Sequence, residues 1–405
     1  MWDIIVVGAG ASGILSAIFS ARQGARVLLL EQKDKIGKKI YATGNGKCNY
    51  TNANDSLANY YGDRDLLENV FTQFSVEDTI SYFSSIGIFP KKKNGYYYPH
   101  SQTAVSVVLA LDMELKNYKV PVRLEEAVTE IIPRKNTFLI STNKEQYSCK
   151  KVIVTTGLLA SPKLGSDGNL LNQIKTLGHR FTPLVPALCG FYAKGLRFSK
   201  VAGVRTDAKL SLFVDDQFVV SNTGELQLTD YGISGIPTFQ ISHPASIALY
   251  QKRKVHVEID FAPDIKENDL QKELHRRKEY QNGSPENILN GLFHQKLADQ
   301  ILEFAGFSSK TKFLTLSEEQ ITQIVKAIKH CIISLHKAKG FEYAQVCAGG
   351  VKTAEINCKT LESKICKGLY FAGEILDVDG ICGGYNLQWA WSSGVVAGRQ
   401  ATGAL

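Results

Sequence analysis

The chain has 405 residues, which is enough for a large core and for two or three domains. Hydrophobic residues make up 44% and charged residues 21%, a balance that is typical of globular proteins and excludes a disordered or fibrous chain. The net charge of +8 is mild for this length and is not concentrated in one stretch, so it does not indicate binding to nucleic acid.

The cysteines and the apolar runs bear on the cellular location. The eight cysteines are scattered, with no C-x-x-C pair and no metal-ligand spacing, which favours free thiols in a reducing compartment. No apolar run reaches the roughly 20 residues of a membrane-spanning helix. The apolar N-terminus contains Asp3 and lacks a basic region, so we interpret it as a core strand and not as a signal peptide. We therefore expect a soluble, cytoplasmic protein without a metal site.

The first 32 residues have the order of a dinucleotide-binding unit. Residues 2–7 form a β-branched run that is long enough for one buried strand, and a glycine-rich turn follows. In that turn Gly8 permits the tight bend, Gly10 lets the backbone approach a pyrophosphate, and Gly13 lets the next helix pack closely. Glu31 closes the second strand, where its carboxylate can accept hydrogen bonds from the ribose hydroxyls of an adenosine. The pattern predicts a dinucleotide with its pyrophosphate at the helix N-terminus.

Residues 36–52 directly follow this unit and are rich in Gly, Asn and Thr. They lack an amphipathic period, so they predict a loop. The loop either lies on the surface or, as we favour, crosses the cofactor site and offers backbone N–H groups and amides to it.

Helices and then strands are predicted next in the chain. Residues 65–83 and 104–117 have the period of amphipathic helices, and residues 91–100 between them predict a hairpin or loop.

The strands that follow alternate polar and apolar residues. Residues 120–134 and 137–142 predict the small antiparallel crossover sheet that accompanies many FAD domains. Residues 152–157 predict a buried strand that ends in a turn, where a parallel sheet has its ligand-facing edge.

An insertion is predicted at residues 188–339, with a β-rich part (188–263) and a helical part (264–330). Its predicted strands are residues 209–214, 218–220, 225–228 and 255–259. One helix is predicted to begin at Ser284 and Pro285, with an apolar stripe at Leu289, Phe293, Leu297, Ile301 and Phe304. A second begins at a capping box of Ser317 and Gln320, with Ile321, Ile324 and Ile328 on one face.

The last segment returns to strands and glycine turns. Residues 368–374 predict a strand that runs into a turn, and residues 383–388 form a glycine turn before a helix at residues 389–400. A glycine turn that opens a helix suggests that the C-terminus folds back onto the nucleotide domain. We therefore predict a discontinuous domain of residues 1–187 and 340–405.

The combination of these motifs resembles the BaiN/aminoacetone oxidase family of FAD-dependent oxidoreductases over essentially the whole chain. Besides the first glycine turn, it rests on residues 37–52, 232–235, 348–351, 368–379 and 383–388. The resemblance implies an α/β fold with a discontinuous, Rossmann-like FAD domain of the glutathione-reductase type, and an inserted β-barrel with a helical bundle as substrate domain.

By position, the resemblance implies two more cofactor elements. Gly373 and Glu374 with Asp377 resemble the second FAD motif, in which an acidic group holds the ribityl hydroxyls. Ordinary turn chemistry is the alternative for Asp377 and Asp379. The turn before the last helix would place N–H groups near the flavin pyrimidine. The predicted FAD contacts are Gly8, Gly10, Ala11, Ser12, Gly13, Glu31, Gln32, Lys39, Thr43, Gly44, Asn45, Gly46, Cys48, Asn49, Val128, Thr156, Gly157, Gly373, Glu374, Asp377, Gly384, Tyr385, Asn386, Leu387 and Gln388.

The chain departs from the family at several positions. Thr155 begins the Thr-Thr-Gly-Leu turn where the family usually has Ala-Thr-Gly-Gly, and the Gly-Ser-Asp-Gly segment at 165–168 is shortened. Cys347 and Cys382 stand where threonine is more common, and Asp230 where histidine is. Cys382 is either a redox thiol or, as we favour, a small buried residue.

Three functions remain open. The first is a reductase that transfers hydride to a conjugated ketone or a similar small substrate, with NADH or NADPH as transient donor. The second is an oxidase of a small amine that uses oxygen, and the third is a non-enzymatic flavin-bound partner protein. A single G-x-G-x-x-G, where glutathione-reductase-type enzymes have two, weakens the first. Candidate general acids are the tyrosines and histidines of the insertion and of residues 96–100, among which the sequence does not choose. The oligomeric state is not predicted.

Overall fold

The structure is a computed structural model that describes residues 1–280, 289–307 and 315–403. Its strands are β1 (Trp2–Val7), β2 (Val27–Leu30), β3 (Thr51–Asn52), β4 (Tyr60–Gly62), β5 (Pro90–Lys93), β6 (Tyr96–Pro99), β7 (Val122–Arg123), β8 (Val128–Pro133), β9 (Phe138–Thr142), β10 (Gln146–Val154), β11 (Val185–Ala187), β12 (Phe191–Lys194), β13 (Arg205–Val214), β14 (Gln217–Leu228), β15 (Gly232–Gly235), β16 (Val255–Asp260), β17 (Cys331–Ala338), β18 (Val346–Ala348), β19 (Leu369–Phe371) and β20 (Val378–Gly380).

The helices, numbered in the same way, are α1 (Ala11–Arg22), α2 (Arg64–Gln73), α3 (Val76–Ser85), α4 (Ala104–Asn117), α5 (Leu171–Thr176), α6 (Phe198–Val201), α7 (Ile236–Gln240), α8 (Ser242–Tyr250), α9 (Glu267–Tyr280), α10 (Gln295–Phe304), α11 (Glu318–Lys329) and α12 (Tyr385–Gly403). The chain divides into two compact units, Met1–Val185 with Gln345–Leu405, and Pro186–Ala344. Within the described residues, no helix is both long enough and apolar enough to cross a lipid bilayer.

A parallel sheet in the order β7-β2-β1-β10-β19 forms the centre of the first unit. Strands β2 and β19 and the last three residues of β10 are buried throughout, as expected where helices cover both faces of a parallel sheet. Because the strands are parallel, their carboxyl ends at Val7, Leu30, Val154 and Phe371 lie along one edge. That edge is where open α/β sheets bind their ligands.

Strand β10 joins this sheet to an antiparallel extension. Its first half pairs with β9, which pairs with β8, so the predicted antiparallel sheet is confirmed for these strands. The single strand predicted at residues 120–134 is wrong, because Val122–Arg123 form β7 and pair with β2 in the parallel sheet. Strand β10 is longer than the predicted residues 152–157, because its first half alternates in burial and only its second half has the continuous apolar run that we interpreted as a strand.

The α2–α3 segment differs from the prediction. A single helix over residues 65–83 is wrong: α2 ends at Gln73 and α3 begins after Ser75. The Ser75 hydroxyl accepts a hydrogen bond from the Asp78 N–H, while the Asp78 carboxylate accepts one from the Ser75 N–H. This capping box starts a new helix although the apolar period continues through it. The hairpin predicted at 91–100 is confirmed by the pairing of β5 with β6.

Helices α1 and α12, from the two ends of the chain, pack against each other through small residues. The Ser16 hydroxyl donates a hydrogen bond to the Gly394 carbonyl (2.9 Å), and the Ser20 hydroxyl donates one to the Gly398 carbonyl (3.0 Å). A Cβ atom on Gly394 would lie 2.4 Å from the Ser12 carbonyl oxygen, so the close approach requires glycine. The first and last helices of the chain therefore share one interface.

The second unit contains a closed antiparallel barrel in the order β12-β15-β14-β13-β16-β17. The strand that closes it, β17, follows the helices α9–α11 in the chain. The prediction of separate strands at 218–220 and 225–228 is wrong, because both belong to the continuous strand β14. Gly224, between the two predicted strands, pairs with Ala208 inside β14, and Pro237 packs over it.

The helical part of this unit confirms one prediction and corrects another. Helix α11 has the predicted capping box of Ser317 and Gln320, and its predicted apolar face is buried. The prediction of one continuous helix after Ser284 is wrong for the residues that the structure describes. Helix α10 begins only at Gln295, with His294 as its N-cap. Phe304, at the end of the predicted stripe, is exposed. Ser284 and Pro285 themselves lie outside the described residues.

Candidate functional site

The first glycine turn combines two close packing positions with one open position. Gly8 has φ +100°, and a Cβ atom there would lie 2.9 Å from the Thr155 carbonyl oxygen. A Cβ atom on Gly13 would lie 1.8 Å from the Gly8 carbonyl oxygen, so no larger residue fits. At Gly10, by contrast, no atom of a described residue lies within 4 Å of the Cβ position. The turn is therefore closed by Gly8 and Gly13 and leaves a space beside Gly10.

The N-terminus of α1 points into this space without a protein partner. No side chain of a described residue caps it, and its first turn contains no acidic residue. The free N–H groups of the first turn, which include that of Ala11, and the helix dipole favour an anion here. The Ser12 hydroxyl lies 3.4 Å from the Ala372 carbonyl oxygen, at the end of β19, so this predicted contact packs inward.

Glu31 lies at the carboxyl end of β2 and is held by two backbone donors. The Ala9 N–H donates to its Oε2 at 2.7 Å, and the Lys33 N–H donates to its Oε1 at 2.8 Å. Burial raises the pKa of Glu31 above its usual range. Each carboxylate oxygen keeps a further lone pair, so the group can accept a hydrogen bond from a ribose hydroxyl.

Two other predicted FAD contacts, Gln32 and Val128, lie in segments next to Glu31. The Glu126 N–H donates to the Glu31 carbonyl oxygen (2.8 Å), which brings the start of β8, with the buried Val128, beside the end of β2. The Gln32 side chain donates to the Gly165 carbonyl oxygen at 2.7 Å. Its amide is thus used within the protein.

The departure from the family at Thr155 has a structural consequence. Its hydroxyl oxygen lies 2.8 Å from both the Val7 and the Gly8 carbonyl oxygens, so it ties the end of β10 to the glycine turn. Thr156 and Gly157 follow at the same edge of the sheet. A Cβ atom on Gly157 would lie 3.4 Å from Glu374 Oε2, which places the end of β10 against the predicted second motif.

Glu374 connects the predicted loop to the C-terminal segment. Its Oε2 lies 2.8 Å from Lys39 Nζ, and its Oε1 accepts a hydrogen bond from the Cys347 N–H at 2.7 Å. Gly373 lies against Ser12, with 2.4 Å between its Cβ position and the Ser12 hydroxyl oxygen. Asp377 is half-buried four residues after Gly373. The predicted first and second motifs thus meet at one edge of the sheet.

The loop at residues 43–48 contains consecutive left-handed residues. Gly44, Asn45 and Gly46 have φ values of +55°, +52° and +81°. Such runs orient successive backbone N–H groups to one side and form anion-binding concavities. The Cys48 side chain is fully buried, and burial raises the pKa of its thiol to about 12, so this predicted contact belongs to the protein interior. The Thr43 hydroxyl donates to the Ile40 carbonyl oxygen.

The same loop packs against the start of α12. A Cβ atom on Gly384 (φ +95°) would lie 2.8 Å from the Thr51 carbonyl oxygen and 3.0 Å from Asn49 Oδ1. The Thr51 hydroxyl donates to Gln388 Oε1, and the Gln388 amide donates to Thr79 and Ser392. Gln388 is therefore fixed inside the protein.

Three further predicted residues surround the start of α12. The Asn386 amide accepts from the Gly380 N–H (2.9 Å) and donates to the Gly380 carbonyl (2.7 Å). The Tyr385 hydroxyl accepts a hydrogen bond from Asn59, and burial raises the pKa of Tyr385 to about 12. Leu387 is half-buried in the first turn of the helix. The side chains of Asn386 and Tyr385 therefore hold the turn in place, and its backbone is what it offers to a ligand.

Three observations fit the cofactor FAD at this edge of the sheet. A space lies beside Gly10, the N-terminus of α1 lacks a side-chain cap, and Asn49 Oδ1 is buried without a hydrogen-bond partner among the described residues. An uncompensated buried oxygen costs about 1–3 kcal/mol, which a ligand donor would offset. Together they provide an anion site at one end and a hydrogen-bond acceptor at the other.

Tyrosines line the neighbourhood of the Gly383–Gly384 turn. The Cβ position of Gly383 lies 2.9 Å from Tyr96 Cε1, and Tyr98 Cε1 lies 3.7 Å from the Cβ position of Gly44. Burial, with Cys382 nearby, raises the pKa of Tyr96, so its hydroxyl stays protonated. Burial also raises the pKa of Cys382, which disfavours the thiolate that redox chemistry needs.

Some residues of this region were missed from the sequence. The Asn52 side chain donates to the Gly383 carbonyl oxygen at 2.9 Å, and Thr51 bonds to Gln388. Both lie in the Asn- and Thr-rich loop, so composition gave a signal, but their partners lie more than 300 residues away in the chain.

Comparisons with known proteins identify the family of this chain. The model of the HI0933-like protein Rossmann domain matches residues 2–400. The chain is 41% identical over 400 residues to the 3-dehydro-bile acid Δ4,6-reductase of Clostridium scindens, covering 98% of each protein. It is 30% identical over 400 residues to the ribosomal RNA dihydrouridine synthase of Haemophilus influenzae, covering 96% of each.

A solved structure extends the comparison to the fold. The 3-ketosteroid Δ1-dehydrogenase of Sterolibacterium denitrificans is 11% identical, with a TM-score of 0.51 over 100% of both chains, which shows a shared fold. With the match of the family model along nearly the whole chain, the protein belongs to the HI0933-like Rossmann-domain family and is an FAD-dependent oxidoreductase.

Proposed function

We propose that the protein reduces a carbon–carbon double bond conjugated to a carbonyl group in a small, apolar ketone, with NADH or NADPH as electron donor. The observation that carries the proposal is the 41% identity, over 98% of both chains, to a reductase whose name describes Δ4,6 double bonds beside a 3-dehydro group. We propose the second unit, Pro186–Ala344, as the substrate domain.

The proposed cofactor contacts follow from the geometry. The diphosphate of FAD would lie beside Gly10 at the N-terminus of α1, and an adenosine ribose would bind Glu31. The N–H groups of residues 44–46 and the Asn49 amide would bind farther along the cofactor. FAD, when bound, supplies hydride chemistry that no protein side chain can perform.

The chain itself would supply the proton. Saturating a conjugated double bond requires a hydride at the β-carbon and a proton at the α-carbon. A general acid must carry its proton at working pH, and the raised pKa of Tyr96 meets this condition. The Tyr96 ring, on β6, also contacts Gly383 in the glycine turn before α12. We therefore propose Tyr96 as the proton donor.

A second candidate is reduction of uridine in ribosomal RNA. The supporting observation is the 30% identity, over 96% of both chains, to a ribosomal RNA dihydrouridine synthase. The chemistry is related, because the C5–C6 double bond of uracil is also conjugated to a carbonyl. Exposed lysines at positions 92 and 93 lie on β5, which pairs with the strand of Tyr96 and gives a basic surface for phosphates.

One experiment separates these two functions from each other. The purified flavoprotein is mixed anaerobically with NADH or NADPH, and the flavin absorbance is followed. The reduced protein then receives a 3-oxo-Δ4 steroid, a uridine-containing ribosomal RNA fragment, or oxygen. Reoxidation by the steroid with formation of its dihydro product supports the first proposal, and reoxidation by RNA supports the second. A flavin that neither nucleotide reduces refutes both.

A further inference from the structure

A second concave site lies at the other end of α1 from the glycine turn. It is a cavity of about 450 Å³, whose walls include Phe19, Arg22, Phe74, Asp78, Tyr82 and Arg399. The rise of 1.5 Å per residue puts the end of this 12-residue helix roughly 18 Å from its start. The cavity is therefore separate from the proposed pyrophosphate site, and its volume is that of a small-ligand pocket.

Two guanidinium groups share one aromatic ring in this cavity. The Cζ atoms of Arg22 and Arg399 each lie 5.0 Å from the centroid of the Phe19 ring. Among the described residues, no carboxylate forms a salt bridge with either guanidinium, and Arg399 donates to the Gln73 carbonyl oxygen. Burial lowers the pKa of Arg399, while the charge of Asp78 raises it and the charge of Arg22 lowers it further. Two positively charged side chains thus lie close together, and no carboxylate of a described residue forms a salt bridge with either.

The acidic residue in the cavity wall, Asp78, already forms hydrogen bonds within the protein. Asp78 Oδ2 accepts hydrogen bonds from both the N–H and the hydroxyl of Ser75, each at 2.8 Å, in the capping box of α3. Its charge offsets only part of the two positive charges beside it.

A buried hydroxyl in the cavity wall also lacks a partner. Tyr82 is 7% exposed, and its hydroxyl oxygen has no hydrogen-bond partner among the described residues. Burial raises the pKa of Tyr82, so the hydroxyl keeps its proton and can donate it to an acceptor. Arg22 lies in the last turn of α1, where a cation offsets the helix dipole, but this explains neither Arg399 nor the unpaired hydroxyl.

We propose that the cavity binds a small organic oxyanion with an apolar body, either a carboxylate or a phosphate monoester. The oxyanion would contact Arg22, Arg399 and the Tyr82 hydroxyl, because guanidinium groups bind both classes of oxyanion through paired N–H donors. The body of the ligand would pack on Phe19 and Phe74. This site is independent of the reaction proposed above.

Titration calorimetry on the FAD-loaded protein tests the site with phenyl phosphate, benzoate and inorganic phosphate, at an ionic strength held constant with sodium chloride. We expect phenyl phosphate or benzoate to bind once per chain and more tightly than inorganic phosphate. Whichever of the two binds identifies the oxyanion class. Inorganic phosphate binding as tightly as either would contradict the role of the apolar body.

Variants assign the binding to the cavity. Arg22→Gln, at an exposed position, and Arg399→Lys should each weaken binding at least 10-fold, and Tyr82→Phe several-fold, all with unchanged flavin content. The matched control is Arg64→Gln, which removes an exposed arginine from α2 and should change nothing. Absence of binding, or affinities that stay the same in Arg22→Gln and Arg399→Lys, would overturn the proposal.

Discussion

The three glycines of the first turn should respond differently to substitution, because the space around them differs. Gly10 has φ −78° and ψ −170°, an extended conformation that valine adopts without strain, and its Cβ position contacts no described atom. We expect Gly10→Val to fold with a free energy of unfolding within about 0.5 kcal/mol of the parent protein.

The same substitution should abolish retention of FAD. A valine side chain would fill the space into which the diphosphate must come. Hydrogen bonds to charged groups contribute about 1.5–3 kcal/mol each, so losing two of them weakens binding by roughly 3–6 kcal/mol. That corresponds to an affinity about 10²- to 10⁴-fold lower. The prediction is a colourless protein that keeps the thermal midpoint of the cofactor-free parent.

Two control variants complete the design. Gly13→Ala places a Cβ atom 1.8 Å from the Gly8 carbonyl oxygen, so it should lower the free energy of unfolding by about 3 kcal/mol, even without FAD. Gly403→Val, in open space at the end of α12, should affect neither quantity. The assay measures flavin per protein by absorbance, and the thermal midpoint of the stripped proteins by circular dichroism. Stoichiometric FAD in purified Gly10→Val would refute the assignment of the pyrophosphate site.

Three other predictions concern turnover, pH and the glycine turn. Tyr96→Phe should keep FAD and lower the steady-state turnover about 10²-fold or more, whereas Tyr147→Phe, on β10, should not. Burial lowers the pKa of His179. Burial would raise the pKa of Glu355, but hydrogen bonds from Arg180 and His179 lower it. The unfolded chain therefore binds more protons, and the thermal midpoint should fall as the pH drops below 6.5, less so in His179→Gln. Thr155→Ala should cost about 1 kcal/mol in chemical denaturation but retain FAD; unchanged stability would contradict the hydrogen bonds of its hydroxyl.

The β1–α1–β2 unit was predictable because its signals are local. A β-branched run forms the strand, and the spacing of Gly8 and Gly13 reports close packing that the structure contains. The capping box at Ser317 was equally readable, since both partners lie within four residues. The break at Ser75 has the same kind of local signal, but the apolar period continues through it and favours a single helix.

The partners of the site residues could not be predicted, because they lie far apart in the chain. Lys39 pairs with Glu374, a separation of 335 residues, and Thr51 with Gln388, a separation of 337. Neither the apolar period nor the composition of a segment indicates which distant residue a side chain contacts. The sequence therefore predicted which segments meet at this edge of the sheet, but it did not predict that Gln388 and Lys39 bind protein groups.

These long-range contacts make the candidate site a joint product of both ends of the chain. The glycine turn packs against Thr155, the loop before β3 packs on Gly384, and α1 packs on α12 through Gly394. Bringing such distant segments together costs loop-closure entropy, which the buried hydrogen bonds between them must offset. We infer that the affinity for FAD depends on the packing of α12 as well as on the first glycine turn.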